Sequence, residues 1–130
     1  MEENKYCYRY PHPAVTTDCV IFGFDGERLQ VLLVERGIEP YKGRWVFPGG
    51  FLKMDETAEE GALRELREET GLERAYIQQF HTFSDPHRDP RERVITIAYY
   101  LGYGLSAHAA KCGKLLLRHG VGFSQCDDLL

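Results

Sequence analysis

A single well-marked helix signal stands between long strand-forming runs, and that order limits the folds open to the chain. Asp55-Glu56-Thr57 offers Asp55 or Thr57 as a cap and acidic groups for a first turn, and Gly71 sits where a left-handed stop belongs. The spacing predicts a helix reaching about Thr70. Ahead of it, Ala14 to Phe24 is rich in Val, Ile, Thr and Phe and reads as a strand. Asp25-Gly26 is a hairpin-turn pair, and Arg28 to Arg36 then carries Leu-Gln-Val-Leu-Leu-Val, a second strand. Gly37 to Trp45 is punctuated by Pro40 and Gly43 as a loop, and Trp45 to Gly50 is an apolar segment stopped by a turn. After the helix, Tyr76 to Phe83 and Arg93 to Tyr103 read as strands, joined by a polar loop from Ser84 to Glu92. Strands, then a helix, then strands indicate an α/β chain with a mixed sheet and a helix packed on it.

Composition narrows the class. A chain of 130 residues with 43% apolar side chains has room for one domain, residues 1–130, and enough apolar surface for a core. The formal net charge of −4 argues against a dedicated nucleic-acid or anionic-membrane binder, so neither partner is expected. An acidic chain that handles polyanions must gather positive charge locally or take it from metal ions. Met1-Glu2-Glu3-Asn4-Lys5 opens without the apolar stretch of a secretory signal, and no window approaches the roughly 18 apolar residues of a membrane span. Cys7, Cys19, Cys112 and Cys126 form no Cys-x-x-Cys pair and fit free thiols in a reducing, cytoplasmic setting. No two histidines stand at helical i, i+4 spacing, which disfavours a histidine metal site. Tyr6, Tyr8 and Tyr10 alternate with polar residues, as in an edge strand, an interface or, more ordinarily, a packed segment.

The helix itself carries the chemistry. In Ala62-Leu63-Arg64-Glu65-Leu66-Arg67-Glu68-Glu69-Thr70-Gly71, the side chains of Glu65, Glu68 and Glu69 stand at i, i+3 and i+4 and share one face. Leu63, Leu66 and Thr70 share the neighbouring face and can pack on a sheet. The plain alternative is a solvated helix laced with salt bridges, and Glu60, Arg64 and Glu68 do make an i, i+4 ladder. Glu65 and Glu69 depart from it: neither has a basic residue at i±3 or i±4, and they face each other and Glu68. Each like-charge pair costs an isolated helix roughly 0.2–0.5 kcal/mol. A hard divalent cation would offset that cost, because Mg²⁺ takes carboxylate, water and phosphate oxygens. Such a cation would screen a pyrophosphate and help form a hydroxide nucleophile.

These residues sit in a longer pattern: Gly50, five residues, Glu56, seven residues, then Arg64-Glu65-Leu66-Arg67-Glu68-Glu69-Thr70-Gly71-Leu72. The pattern resembles the full signature of the Nudix hydrolase family at each fixed position, and Trp45-Val46-Phe47-Pro48-Gly49-Gly50 is similar to the family's lead-in. The resemblance implies a Nudix-like α/β/α sandwich with a mixed β-sheet, on which a loop–helix–loop binds Mg²⁺ (or Mn²⁺) and a pyrophosphate. It implies Glu65, Glu68 and Glu69 as metal ligands and Arg64 as the residue that orients them through a charge-assisted pair. Glu56 would be a further ligand or base, and Gly50 would supply a loop conformation or a carbonyl to the metal.

A narrower likeness lies outside the signature. Phe83-Ser84-Asp85-Pro86-His87-Arg88-Asp89-Pro90-Arg91 with Val94-Ile95-Thr96-Ile97-Ala98-Tyr99-Tyr100 resembles a segment of microbial ADP-ribose pyrophosphatases in that family. The bland reading of this loop is a Pro-rich surface connection. The resemblance implies cleavage of ADP-ribose to AMP and ribose 5-phosphate, with Arg88 or Arg91 meeting a phosphate or the terminal ribose. A nucleoside triphosphate or another sugar nucleotide is the alternative substrate, since the signature reads only the diphosphate. A third reading is a non-catalytic sensor: sugar-responsive regulators of Nudix type resemble this chain through similar loops and Gly37-Ile38-Glu39-Pro40. Those regulators tend to carry degraded signatures and a winged-helix domain, whereas the signature here is intact and 130 residues leave no room for that domain. The resemblance also implies a homodimer. It covers about Ala14 to Tyr103. The tail, residues 104–130, is atypical: Leu115-Leu116-Leu117 fits a short helix, and His119, Gly120, Gly122 and Ser124 read as loop.

Overall fold

The computed structural model describes residues 5–24, 27–39, 41–73, 75–104 and 121–125. The predicted strands form over nearly the expected spans: β1 (Ala14–Phe24), β2 (Leu29–Glu35), β5 (Gln78–Phe83) and β6 (Val94–Gly104). Two short strands, β3 (Trp45–Val46) and β4 (Gly49–Phe51), form within the apolar lead-in to the helix. The helix α1 (Ala58–Thr70) begins at Thr57, whose hydroxyl accepts from the Glu60 N–H while the Glu60 carboxylate accepts from the Thr57 N–H. This reciprocal box satisfies two amide donors that a helix start leaves open. Gly71 closes the helix in the left-handed region, φ 76°, with its N–H on the Arg67 carbonyl.

The sheet is mixed, as the order of elements implies. It runs β3-β2-β1-β6-β5, with β4 and β7 (Val121–Gln125) off that path. β1 and β6 are parallel over their whole length, from Ala14 opposite Val94 to Phe24 opposite Gly104. β1 pairs antiparallel with β4 over residues 16–18 and with β2 over residues 22–24. One expectation for the tail is corrected: Gly122 and Ser124 lie in a strand, because β2 offers them a free backbone edge from Gln30 to Val34. The helix expected around Leu115 lies outside the described residues. So does any second helical layer; among the described residues one helix covers the sheet.

α1 packs by its narrow apolar stripe. Ala62 and Leu66 are fully buried against Cys19, Ile21, Leu32, Val34, Tyr99 and Leu101. Burying a leucine of this kind stabilises by roughly 1.5–3 kcal/mol. Strand alternation places Cys19 and Ile21 of β1 in this core, and Thr16 and Asp18 on the opposite face. Tyr6, Tyr8 and Tyr10 neither join a strand nor pack in the core, which corrects the edge-strand and packed readings; they are exposed, with Tyr6 stacked on Tyr8. Among the described residues no helix is long and apolar enough to cross a membrane.

Candidate functional site

A cleft of about 800 Å³ opens on the face of the sheet that carries Thr16 and Asp18. Four parts of the chain meet there: β1 and β6 as a floor, the end of β2 and the β3–β4 turn as one wall, Arg64, Glu65 and Glu69 of α1, and Arg88, Asp89 and Arg91 of the loop before β6. Residues distant in sequence thus converge because β1 and β6 run side by side.

The helix carboxylates are held by different means. Glu69 accepts from the Gly49 N–H at 3.1 Å, and burial pushes its carboxyl up to about 7, helped by repulsion from Glu65, Asp18 and Glu68. Glu65 is paired with Arg64, Nη1 to Oε1 at 2.7 Å. This is the kind of charge-assisted pair that the resemblance implies for Arg64, formed at a spacing outside i±3 and i±4. Helical neighbours at i, i+1 ordinarily point apart, but Arg64 folds back and its long side chain spans the gap. Glu68 stands at the rim, its side chain 54% exposed and 3.4 Å from Arg64, outside the cleft lining.

Arg64 is the hub. It grips Glu56 at two points, Nη2 to Oε1 at 2.6 Å and Nε to Oε2 at 2.8 Å, and donates to the Phe51 carbonyl at 3.2 Å. Glu56 also accepts from the Lys53 N–H at 2.8 Å. The Arg64 guanidinium, then the Lys53 N–H, hold its carboxyl down at about 2. The glycine loop is fitted to this arrangement. A Cβ at Gly50 would lie 2.6 Å from Glu65 Cδ, and one at Gly49 would lie 2.9 Å from Asp18 Cα. The backbone therefore approaches the carboxylates as closely as it can only because both residues are glycine.

Arg88 and Arg91 differ. Arg91 forms a two-point fork with Asp89, Nε to Oδ1 at 3.0 Å and Nη2 to Oδ2 at 2.8 Å, and lies over the Phe51 ring at 5.1 Å. That pairing holds Asp89 down at about 2. Arg88 donates Nη1 to Thr96 Oγ1 at 2.7 Å and makes no ion pair among the described residues.

Sequence reasoning missed Asp18. Burial pushes its carboxyl up to about 6, with Arg88 pulling it down and Glu65 pushing it up. The signal was available: a lone charged side chain in an otherwise apolar and hydroxyl-bearing strand. The side chains of Asp18, Glu65 and Glu69 that line the cleft offer hard carboxylate oxygens, and burial is the main cause that raises Asp18 and Glu69. In charge and donor type they fit Mg²⁺ or Mn²⁺. Among the described residues no three side chains converge as a ready-made metal cluster.

A cleft with carboxylates below and arginines at its rim, on a mixed α/β sheet, is suited to an anionic ligand held with a cation. The chain belongs to the NUDIX domain family, whose pattern matches residues 12–110. It is 41% identical over 92 residues to an ADP-ribose pyrophosphatase of Methanocaldococcus jannaschii, covering 71% of this chain and 52% of that protein. It is 39% identical over 93 residues to the ADPR responsive transcriptional repressor NtrR of Acinetobacter baylyi, covering 70% of this chain and 37% of the repressor. The chain thus spans about a third to a half of the length of these curated relatives. Among solved structures, the NUDIX domain of Shewanella oneidensis NrtR with ADP ribose superposes with a TM-score of 0.75 at 28% identity, over 92% of this chain and 77% of that one. The same NrtR with a 27mer DNA gives 0.75 at 32% identity, over 89% and 52%.

The DNA complex corrects one expectation. Net charge argued against any nucleic-acid partner, yet a protein sharing this fold was solved on DNA. The charge argument speaks for these 130 residues alone, and they match 52% of that protein, so the exclusion does not stand.

Proposed function

We propose that the cleft takes ADP-ribose and that the chain hydrolyses it to AMP and ribose 5-phosphate with Mg²⁺ or Mn²⁺. The observation that carries this reading is the meeting of Glu65 and Glu69 with Arg88 in one cleft. Carboxylates for a cation and a guanidinium for a phosphate are the two things a diphosphate linkage needs. Both the pyrophosphatase and the repressor named above are ADP-ribose proteins by name, which supports the choice of ligand.

In this reading Glu65 and Glu69 hold the cation from the cleft, Glu68 from its rim, and Gly50 through its backbone carbonyl. When bound, the cation supplies charge against the diphosphate and makes a bound water more acidic. Water adds across the phosphoanhydride: its oxygen ends on one phosphorus, and the other phosphate departs as a monoester. Arg64 orients Glu65 and ties the helix to the glycine loop. Glu56 serves that orientation and not proton transfer, because both of its oxygens are already engaged. Arg88 presents donors to a phosphate oxygen.

A panel of ADP-ribose, nucleoside triphosphates and other sugar nucleotides, assayed with Mg²⁺ for product release, tests this directly. AMP and ribose 5-phosphate in equal amounts support it, and turnover of triphosphates alone would replace the substrate. The second reading is a ligand-responsive regulator, favoured by the 39% identity to the repressor. It predicts tight ADP-ribose binding without AMP release.

A further inference from the structure

Two threonines that no catalytic reading uses lie directly beneath Arg88. Thr16 of β1 and Thr96 of β6 are register partners across the parallel pair, and their hydroxyls meet at 2.6 Å. Both are buried, at 8% and 2% exposure, yet both line the cleft. A buried hydroxyl costs free energy unless it is bonded, so two of them at one point in a sheet otherwise rich in Val and Ile call for a physical reason. The reason is above them. Arg88 Nη1 donates to Thr96 Oγ1 at 2.7 Å. Whichever hydroxyl supplies the proton between the threonines, Thr96 Oγ1 retains a lone pair for the guanidinium. The base of the loop is fixed separately, by the His87 N–H on Asp85 Oδ1 at 2.8 Å and Arg93 Nη1 on the Ser84 carbonyl at 2.6 Å.

We infer that Thr96, supported by Thr16, is a positioning residue that sets the Arg88 guanidinium over the carboxylate floor as the phosphate-gripping cation of the cleft, while Arg91 is a structural residue. The contrast between the arginines follows from their partners. Arg91 has its fork filled by Asp89 and its face on Phe51. Arg88 spends one donor on Thr96 and keeps Nε and Nη2 for a ligand, with the Thr96 bond limiting the side-chain entropy lost on binding. This assignment rests on the ADP-ribose reading for its ligand, but not for the positioning itself.

Two readouts separate the parts. The first is ¹⁵N NMR of the arginine side chains in the ligand-free protein. Restricted Arg88 guanidinium rotation in wild type and Thr96→Ser, released in Thr96→Val, supports the positioning; equal behaviour in Thr96→Val overturns it. The second is ADP-ribose binding by calorimetry with Mg²⁺, with kcat and KM where turnover occurs. Thr96→Val should weaken binding about tenfold, through KM and not kcat, with rescue by Thr96→Ser, and Arg91→Ala should weaken it less than Arg88→Ala. Arg91→Ala weakening binding as much as Arg88→Ala would overturn the assignment of Arg88. Should Thr96→Val fail to fold, Thr16→Val removes the support alone and should give a smaller loss of the same kind; no loss there overturns the role of Thr16. A wild type with a restrained Arg88 that binds no ADP-ribose would overturn both the ADP-ribose reading and the gripping role, while supporting the positioning.

Discussion

The Arg64 guanidinium and the Glu56 carboxylate meet as a two-point fork, at 2.6 and 2.8 Å, across the turn that leads into the helix. The same guanidinium reaches Glu65 at 2.7 Å, so one side chain ties the glycine loop, the helix entry and a cleft carboxylate together. Lysine cannot reproduce a planar fork. Arg64→Lys should therefore lower hydrolysis by roughly 10–100-fold, the usual effect of losing an orienting partner behind a metal ligand. Steady-state kinetics beside a thermal melt would check this, the melt showing that the fold survives.

Gly49 and Gly50 should fail in different ways. A Cβ at Gly49 would run into backbone, the Thr17 carbonyl and Asp18 Cα, which cannot move aside without breaking the β1–β4 register. The nearest atoms to a Cβ at Gly50 are those of the Glu65 carboxylate, the far end of a flexible side chain. Gly49→Ala is expected to cost roughly 1–3 kcal/mol of stability, as overpacking does. Gly50→Ala should leave the urea midpoint nearly unchanged and weaken Mn²⁺ binding instead.

The metal-free protein should be most stable on the acid side of neutrality. Glu69 has its carboxyl raised from 4.5 to about 7 and Asp18 from 3.8 to about 6, both chiefly by burial. The stability they contribute is full below their unfolded values and is lost as pH rises through 6 and 7. Glu56 and Asp89 are lowered to about 2 by their arginines, so their contribution is lost as pH falls from about 4 toward 2. Melting temperature in chelator should thus peak between these windows and decline toward neutral pH. Glu69→Gln should flatten the decline, and Mg²⁺ should reverse it. A melting temperature that climbs steadily to pH 8 in chelator would contradict the burial of these carboxyls without compensation.

Thr57→Ala removes the hydroxyl half of the capping box and should destabilise by about 1 kcal/mol. Urea unfolding would read it. Because Thr57 does not line the cleft, the loss is expected in stability with little effect on the KM of any substrate.

Much of this frame was legible in the chain. The long β-branched runs and the paired signals at Thr57 and Gly71 mark β1, β2, β6 and α1 nearly to the residue. β3 and β4 are two and three residues long, too short for any periodicity; they exist because neighbouring strands offer them edges. β7 was read as loop for the same reason, since Gly122 and Ser124 carry little strand preference of their own. In the cleft, Glu65 and Glu69 follow from helical arithmetic, as does Glu68 outside its lining. Asp18 and the Thr16–Thr96 contact do not, because the threonines lie 80 residues apart and meet only through the parallel register of β1 and β6. The Arg64–Glu65 pair follows from the family resemblance and not from i±3 and i±4 spacing, because spacing rules describe Cβ positions, not the reach of a long side chain.

The most direct test of the account is the rate of AMP release from ADP-ribose and Mg²⁺ by the wild type and by Glu69→Gln. The account predicts AMP and ribose 5-phosphate in equal amounts from the wild type, and a loss on the order of 10²–10³ in the variant with its fold intact. Wild-type protein that binds ADP-ribose without releasing AMP, or a Glu69→Gln variant that turns it over at the wild-type rate, would contradict it.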